Sequence, residues 1–233
     1  MSELFIELFS DEIPSKLQID ARKKIKEIIA EKLLKKEINF KTSKSFSTPK
    51  RLALVFEGIP EKIEQKKKII KGPKIDAPQV ALDGFIKSNN LDKHSVYKKK
   101  IEKGEFYFAE IKSKTIDVLE ELQTIIPEVL KSYSWKRSMK WSSYELEWAR
   151  PLRSIIALLN DQIIKFNFFH LQSNNLTILD DSSENREKKI NSFKSYLKIL
   201  ESQNIVLDQE KRKKIISKKM KSICNSRKLK NDF

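Results

Sequence analysis

The sequence predicts an α+β fold, with a mixed or antiparallel sheet packed against helices and followed by a basic helical segment. Residues 4–9 form a short apolar run with Glu7 as its one polar residue, which predicts a strand. Apolar residues then recur at helical spacing, which predicts an amphipathic helix. Further along, apolar runs are separated by short polar turns, which predicts hairpins.

The first part of the chain is predicted to run from strand to helix to extended chain. After the first strand, residues 11–15 turn into a helix that ends near Lys36. The apolar face of this helix consists of Ala21, Ile25, Ile28, Ile29 and Leu33. Residues 40–56 then return as extended chain. We expect a break in it at Thr48-Pro49, because the residue before a proline is pushed out of the helical region.

A short helix and a hairpin are predicted next. Pro78 opens the helix, since proline is tolerated in a first turn. Residues 96–101 and 106–111 are extended runs, and Gly104 between them suits a short hairpin loop.

A helix and a second hairpin complete the predicted domain. Apolar residues from Val118 to Ile126 lie at helical spacing, and Pro127 is expected to end that helix and begin another. Residues 154–159 and 162–169 are apolar runs about an Asn160-Asp161 turn, which predicts the hairpin.

A domain boundary is predicted after Thr177, where the composition changes to Lys, Asn, Ser and Glu. Residues 1–177 then form an N-terminal α+β domain, and residues 178–233 form the basic helical segment. The last helix carries an apolar stripe made of Ile215, Ile216, Met220 and Ile223. Nothing later in the chain covers this stripe. We therefore expect fast amide exchange and early proteolysis after Lys211 to Lys221, with a resistant core that ends near Thr177.

The charge balance favours a polyanionic partner. The chain has 48 Lys and Arg against 32 Asp and Glu, a net charge of +16. Such an excess suits nucleic acid or a phosphate-bearing membrane surface. Compositional drift is the alternative. Only eight of the 48 basic residues are arginine, as a lysine-favouring codon bias would produce.

Cysteine and histidine are too few for a disulfide or a zinc centre. Cys224 is alone, and the only histidines are His94 and His170. The N-terminus has no basic segment typical of a signal peptide. No apolar run reaches the roughly 18 residues that a membrane span needs. The sequence therefore predicts a cytoplasmic protein without membrane contact.

No self-contained catalytic site is visible, so we assign no catalytic residue, metal ligand or cofactor to this chain. ATP chemistry needs a glycine-rich loop or a metal held by carboxylates, and the four glycines here are scattered. Asp11-Glu12 and Asp180-Asp181 are adjacent carboxylates, but neighbours on a strand point to opposite faces. Each pair is better explained as the end of an element.

Basic side chains beside rigid or aromatic positions are the candidate phosphate-binding groups. Two lie at the entrance of a strand, two lie around a Gly-Pro turn that exposes backbone amides, and four are interleaved with the three tryptophans. The predicted nucleic-acid-binding residues are Lys50, Arg51, Lys71, Lys74, Arg137, Lys140, Arg150 and Arg153.

Each candidate also has a structural explanation. Lys50 and Arg51 could blunt an edge strand, and Lys71 could lay its stem along apolar surface. The arginines near the tryptophans could stack on those rings while holding phosphate, or could pair with Glu145 or Glu147.

Five segments resemble, in order, the beta subunit of bacterial tetrameric glycyl-tRNA synthetase. They are Leu-Phe-Ile-Glu-Leu-Phe-Ser-Asp-Glu-Ile-Pro at 4–14, Thr-Pro-Lys-Arg-Leu-Ala-Leu at 48–54, Lys-Gly-Pro at 71–73, Gly-Glu-Phe-Tyr-Phe-Ala at 104–109, and the tryptophan-rich block at 135–159. One such segment would be weak evidence. Five in the family's order are specific.

The resemblance implies a subunit of a cytoplasmic alpha2-beta2 ligase that uses ATP and magnesium to join glycine to tRNA(Gly) in protein biosynthesis. It implies that the alpha subunit holds the amino-acid activation site. This chain would supply tRNA binding and association with alpha, and would be inactive alone.

Two departures from the family pattern make the chain look like the N-terminal portion of such a subunit. An Arg-Gly-His-Arg-Phe-like motif usually follows the second hairpin, whereas Thr177 here runs straight into Ile-Leu-Asp-Asp-Ser-Ser. Family members also continue through further helical and anticodon-binding domains. Two other interpretations remain open, namely a free-standing basic RNA-binding module and a purely architectural subunit fragment.

Overall fold

The computed structural model describes residues 2–65, 68–89, 91–92, 95–101, 104–111, 114–179 and 186–228. By their internal contacts the residues fall into two compact units. The main unit comprises Met1–Glu61 and Val118–Phe233, and the inserted unit comprises Lys62–Asp117. His94 and the Asp180-Asp181 pair lie outside the described residues.

The described residues form helices and strands throughout both units. In chain order they are β1 (Glu3–Ser10), α1 (Ser15–Lys35), β2 (Thr42–Thr48), β3 (Arg51–Glu57), β4 (Lys62–Gln65), β5 (Lys68–Lys74), α2 (Gln79–Ser88), β6 (Val96–Ile101), β7 (Gly104–Ile111), β8 (Lys114–Asp117), α3 (Val118–Ser132), β9 (Leu152–Leu159), β10 (Gln162–Ile163), β11 (Asn167–Phe168), β12 (Leu171–Asn174), β13 (Leu176–Ile178), β14 (Glu187–Lys189), α4 (Phe193–Ser202) and α5 (Gln209–Ser226). The α+β prediction is confirmed.

The main unit is built on a seven-stranded mixed sheet. Its order is β11-β12-β9-β1-β3-β2, with β10 paired to β9. The pairs are antiparallel except for β12, which runs parallel to β9. Strand β1 lies between β9 and β3, and residues 4–10 of it are buried. Because successive side chains of a strand point to opposite faces, both faces of this sheet must be covered.

Helices cover the two faces. The predicted apolar face of α1 is buried at Ala21, Ile25, Ile29 and Leu33, and α1 contacts β2, β3 and α3. On the other face, Phe5 packs against the rings of Phe193 and Tyr196 from α4, with centroids 5.3 and 4.8 Å away. Tyr196 and Leu200 are fully buried there.

The last two helices differ in burial, and both belong to the main unit. The boundary after Thr177 stays a prediction. Helix α4 belongs to the main unit's core, because its apolar face closes one side of the sheet. Helix α5 contains no buried residue, and Ile216 and Ile223 are each 51% exposed. The expectation that the final apolar stripe lies uncovered is therefore confirmed for the described part of the chain.

Pro127 does not break the helix that contains it. Helix α3 continues from Val118 to Ser132 with Pro127 inside it, so the predicted division into two helices is wrong. Proline costs the helix one hydrogen bond, but the buried side chains on both sides of it outweigh that cost. They are Val118, Leu122, Ile125, Ile126, Val129 and Leu130.

The predicted hairpins are present, and in the first of them β6 pairs with β7. The extended chain at 40–56, with its predicted break at Thr48-Pro49, is a further hairpin in which β2 and β3 pair through the Pro49-Lys50 turn. The second predicted hairpin forms about Asn160, but its return strand β10 covers only Gln162–Ile163. The chain then makes a further short hairpin between β11 and β12.

Candidate nucleic-acid interface

The tryptophan-rich segment between α3 and β9 is held by buried rings. Trp135 and Trp148 are both buried, with ring centroids 5.0 Å apart, and Trp148 also contacts Phe168 at 6.1 Å. Met139 and Trp148 exchange backbone hydrogen bonds of 2.8 and 3.2 Å. These contacts fix an irregular segment to the core.

The cations of this segment are exposed rather than stacked on tryptophan. Arg137 is exposed and makes no hydrogen bond, ion pair or ring contact with the residues that the structure describes. Lys140 pairs with Glu147 at 3.6 Å, and both side chains are largely exposed. Glu147 is one of the two carboxylates predicted to pair with an arginine of this segment. Its partner in the structure is a lysine, Lys140.

Three of the predicted basic residues belong to segments whose backbones meet at one end of the main sheet. The backbone N–H of Ser10 donates to the Lys50 carbonyl at 2.9 Å, and that of Asp11 donates to the Pro151 carbonyl at 3.0 Å. Arg153 reaches the Asp11 carboxylate at 3.3 Å. We call Lys50, Arg150 and Arg153 the Asp11 cluster. It unites three segments that are distant in the sequence.

The members of the Asp11 cluster differ in exposure. Lys50 and Arg150 are half-buried, and Arg150 donates to the Ala149 carbonyl at 2.8 Å. The Arg153 side chain is 43% exposed beside its carboxylate partner. An exposed pair of this kind contributes little to stability, so its guanidinium can exchange Asp11 for a phosphate at small cost.

Arg51, by contrast, is buried inside the fold, with 3% of its surface exposed. Its Nε lies 3.1 Å from a carboxylate oxygen of Glu7, and its guanidinium lies over the Phe9 ring at 4.7 Å. Another of its nitrogens donates to the Ile178 carbonyl. For this residue the structure favours an internal ion pair over a phosphate contact.

The Glu7 carboxylate joins β1 to distant parts of the chain. It accepts hydrogen bonds from the Tyr196 hydroxyl at 2.6 Å and the Thr177 hydroxyl at 3.3 Å. Burial raises the pKa of Glu7 above its ordinary value, while the Arg51 charge and these hydrogen bonds oppose the rise. Burial, followed by the charge on Glu7, also raises the pKa of Tyr196. We call Glu7, Arg51, Thr177 and Tyr196 the buried polar cluster.

Lys71 and Lys74 belong to the inserted unit. The predicted rigid turn is instead a stretch of β5 where the pairing with β7 shifts register between them. Pro73 suits this irregularity because it has no N–H to give to a ladder. Both exposed ammonium groups lie over the Phe106 ring, at 3.5 and 5.9 Å.

Gly72 is required by packing in the inserted unit. A Cβ at this position would lie 2.9 Å from the Phe85 ring of α2. The Lys-Gly-Pro segment therefore presents two cations on a backbone that α2 holds in place.

A group of aromatic side chains at the surface was not among the predicted site residues. It comprises the half-buried Trp141 and the exposed Tyr144, Phe169 and His170, and we call it the aromatic surface. Tyr144 and His170 stack at 3.7 Å between centroids, and Trp141 lies 6.0 Å from His170. The sequence analysis missed it because residues 162–169 were predicted as one extended run, whereas Phe169-His170 occupies the loop of the β11–β12 hairpin.

The described residues offer neither a metal-binding cluster nor a membrane-spanning helix. They contain no group of three or more His, Cys, Asp or Glu side chains that could hold a metal ion. None of their helices combines the length and apolarity needed to cross a bilayer.

Comparison with known proteins identifies the family. The sequence profile of the family described as glycyl-tRNA synthetase beta subunit matches residues 4–233. The chain belongs to the glycyl-tRNA synthetase beta subunit family. It is 35% identical over 229 residues to the glycine–tRNA ligase beta subunit of Rickettsia typhi, and 34% identical to those of Rickettsia peacockii and Rickettsia akari.

These matches cover 98% of this chain but 34% of each relative. The chain thus spans about a third of the length of the curated relatives, and it matches the N-terminal portion of a glycyl-tRNA synthetase beta subunit. The predicted family is confirmed.

Proposed function

We propose that this chain contributes tRNA binding and alpha-subunit association to the ATP-dependent attachment of glycine to tRNA(Gly). The observation that carries the proposal is the Asp11 cluster. Three of the five segments that resemble the family, at 4–14, 48–54 and 135–159, meet there around backbone hydrogen bonds. Their cations then lie at one end of a rigid sheet.

The cluster suits contact with a nucleic-acid backbone rather than with base edges. Arginine can hold a phosphate with two parallel N–H bonds, whereas lysine acts as a point charge. Contacts of this kind fix the position of a nucleic acid without reading its sequence. The net charge of +16 supports the same partner, because a long-range positive field speeds the encounter with a polyanion. Arg137 and Lys140, on the segment that precedes the cluster, extend the candidate surface.

Activation of glycine belongs to the alpha subunit in this proposal, and ATP with magnesium is used by the assembled alpha2-beta2 enzyme. We assign no residue of this chain to the phosphates or the metal ion. Its four glycines are dispersed, at 58, 72, 84 and 104, and none forms a phosphate-cradling loop with another.

The purified chain should therefore give no glycine-dependent exchange between ATP and pyrophosphate, because we find no preorganised site for the triphosphate among the described residues. Exchange should appear when alpha is added. Incubation with labelled pyrophosphate measures both conditions. The control is alpha alone, which should carry the exchange by itself. Robust exchange by this chain without alpha would refute the assignment of glycine activation to the alpha subunit.

Association with alpha is tested by co-expression and affinity capture. We expect tagged chain to retain alpha in buffer that removes RNA. Retention of RNA without alpha would instead favour a free-standing RNA-binding module. Retention of alpha without any affinity for RNA would favour an architectural fragment, an alternative that the uncovered apolar stripe of α5 supports.

A further inference from the structure

The aromatic surface of the main unit exposes flat ring faces. Tyr144 is 40% exposed and Phe169 is 44% exposed, and His170 is exposed as well. The rings of Tyr144 and His170 are nearly parallel, with 13° between their planes. A parallel pair of this kind is the start of a stack that a further planar ring can extend.

The backbone that presents these rings takes an unfavourable conformation. Phe169 has φ of 53°, and Ser142, between Trp141 and Tyr144, also has φ of 53°. Bulky side chains rarely occupy this left-handed region, and two-residue hairpin loops usually place Asn or Gly there. Such strain is concentrated at functional sites. A loop with the usual residues would be more stable and would expose no ring.

A cavity of about 280 Å³ opens beside Phe169. Tyr133, Trp135 and Phe168 contribute aromatic rings to its lining, and Ser134 and Ser138 contribute hydroxyl groups. Lys131 also lines it, and the ammonium group of this lysine lies 5.8 Å from the centre of the Phe169 ring. The carboxylates of Glu145 and Glu147 line it as well, so the cavity combines aromatic walls with polar and charged groups.

We propose that the aromatic surface binds an unpaired RNA nucleotide, whose base extends the Tyr144–His170 stack. The proposal rests on the proposed tRNA-binding function and names a base-contacting part of the same interface. Single-stranded RNA is recognised by stacking on aromatic rings beside cations that hold its backbone. Lys131 lies over Phe169, and Lys140, which is paired with Glu147 at 3.6 Å, directly precedes Trp141. The exposed rings together with the Lys131 charge favour RNA over an apolar protein partner.

The test compares two RNA probes and matched tyrosine variants of the full chain. The probes are a short single-stranded RNA of mixed sequence and a blunt-ended RNA duplex with the same number of phosphates. Tyr144→Ala should weaken binding of the single strand about tenfold, the typical loss for one stacked base, and should leave duplex binding within about twofold. Tyr144→Phe should retain wild-type binding because it keeps the ring face. Tyr97→Ala is the control, since Tyr97 is 39% exposed and stacks on Phe108 in the inserted unit.

The outcomes separate this inference from the function on which it rests. Selective loss of single-strand binding in Tyr144→Ala, with Tyr97→Ala unchanged, supports it. Wild-type chain that binds neither probe would overturn the tRNA-binding function and this inference together. Wild-type chain that binds both probes, with Tyr144→Ala binding the single strand equally well, would overturn the inference alone. Loss of alpha capture in Tyr144→Ala without any change in RNA binding would also overturn it, and would make the surface a protein interface.

Discussion

Replacement of Arg51 by methionine is expected to lower the free energy of unfolding by about 3–5 kcal/mol, the cost of leaving one charge of a buried pair without its partner. Glu7 is 1% exposed and has Arg51 as its cation at 3.1 Å. Methionine fills similar space but supplies no charge. The Ile178 carbonyl also loses its donor.

The effect of Arg51→Met should depend on pH. In the wild type, burial already raises the pKa of Glu7 from its ordinary value of 4.5, and the Arg51 charge opposes this rise. Without Arg51 the pKa of folded Glu7 rises further. A carboxyl whose folded pKa is raised contributes stability that is present below its unfolded pKa and is lost as pH rises through its folded pKa. The variant should therefore be most destabilised near neutral pH and closest to the wild type below pH 4.5.

Urea unfolding at neutral and acidic pH measures the loss of unfolding free energy and its dependence on pH. In the double variant Glu7→Gln, Arg51→Met both charges are absent, and we expect it to be more stable than Arg51→Met at neutral pH. Arg153→Met is the matched control, because its pair with Asp11 at 3.3 Å is exposed and should contribute less than about 1 kcal/mol. Equal losses in Arg51→Met and Arg153→Met would contradict a buried role for Arg51.

Truncation of Leu200 to alanine should lower the free energy of unfolding by about 2–5 kcal/mol and release α4 from the sheet. Leu200 is fully buried in the cluster with Phe5, Val55 and Ile156. Limited proteolysis shows the local consequence. Wild-type chain should be cut within α5 and should resist cleavage in α4, because α5 contains no buried residue. In Leu200→Ala, cleavage should extend into Phe193–Ser202.

Ile216→Ala is the control for this prediction, because Ile216 lies on α5 and is 51% exposed. It should change stability by less than about 0.5 kcal/mol. Mass spectrometry of the fragments shows whether cleavage in the wild type stops within α5 or also removes α4. A resistant core that ends near Thr177 in the wild type would show that α4 is not held by the sheet.

The local elements were predictable because their patterns are short-range. The helical spacing of Ala21, Ile25 and Ile29 gave α1, and Thr48-Pro49 gave the turn before β3. Pro127 was misjudged because a proline rule is local, whereas the burial of the side chains around it depends on the rest of the fold.

The long-range contacts were not predictable from spacing. The Tyr196 hydroxyl and the Glu7 carboxylate are separated by 189 residues, and no local pattern pairs them. One signal was available. Every residue from Leu4 to Phe9 except Glu7 is apolar, which is typical of a strand buried on both faces rather than on one. Such a strand requires a second covering element, and α4 is that element.

For the candidate binding residues, the sequence showed where basic side chains occur but not which of them are exposed. The basic segments were found from their composition, yet the fold places Arg51 inside and Arg137 outside. Cross-strand register decides the position of Arg51, because Arg51 lies opposite Phe9 in the β1–β3 pair. That register is set by the whole strand pair and not by the Thr-Pro-Lys-Arg motif.

The most direct test of the proposed interface is the affinity of the chain for tRNA(Gly) across a series of salt concentrations. Each phosphate contact releases counterions, so the wild-type affinity should fall steeply as salt rises. Arg137→Ala and Arg150→Ala should each flatten the slope of log affinity against log salt by roughly one, with unchanged melting temperature. Arg51→Met should keep the wild-type slope under conditions where it is folded. A wild-type affinity independent of salt, or wild-type slopes in Arg137→Ala and Arg150→Ala, would contradict the account.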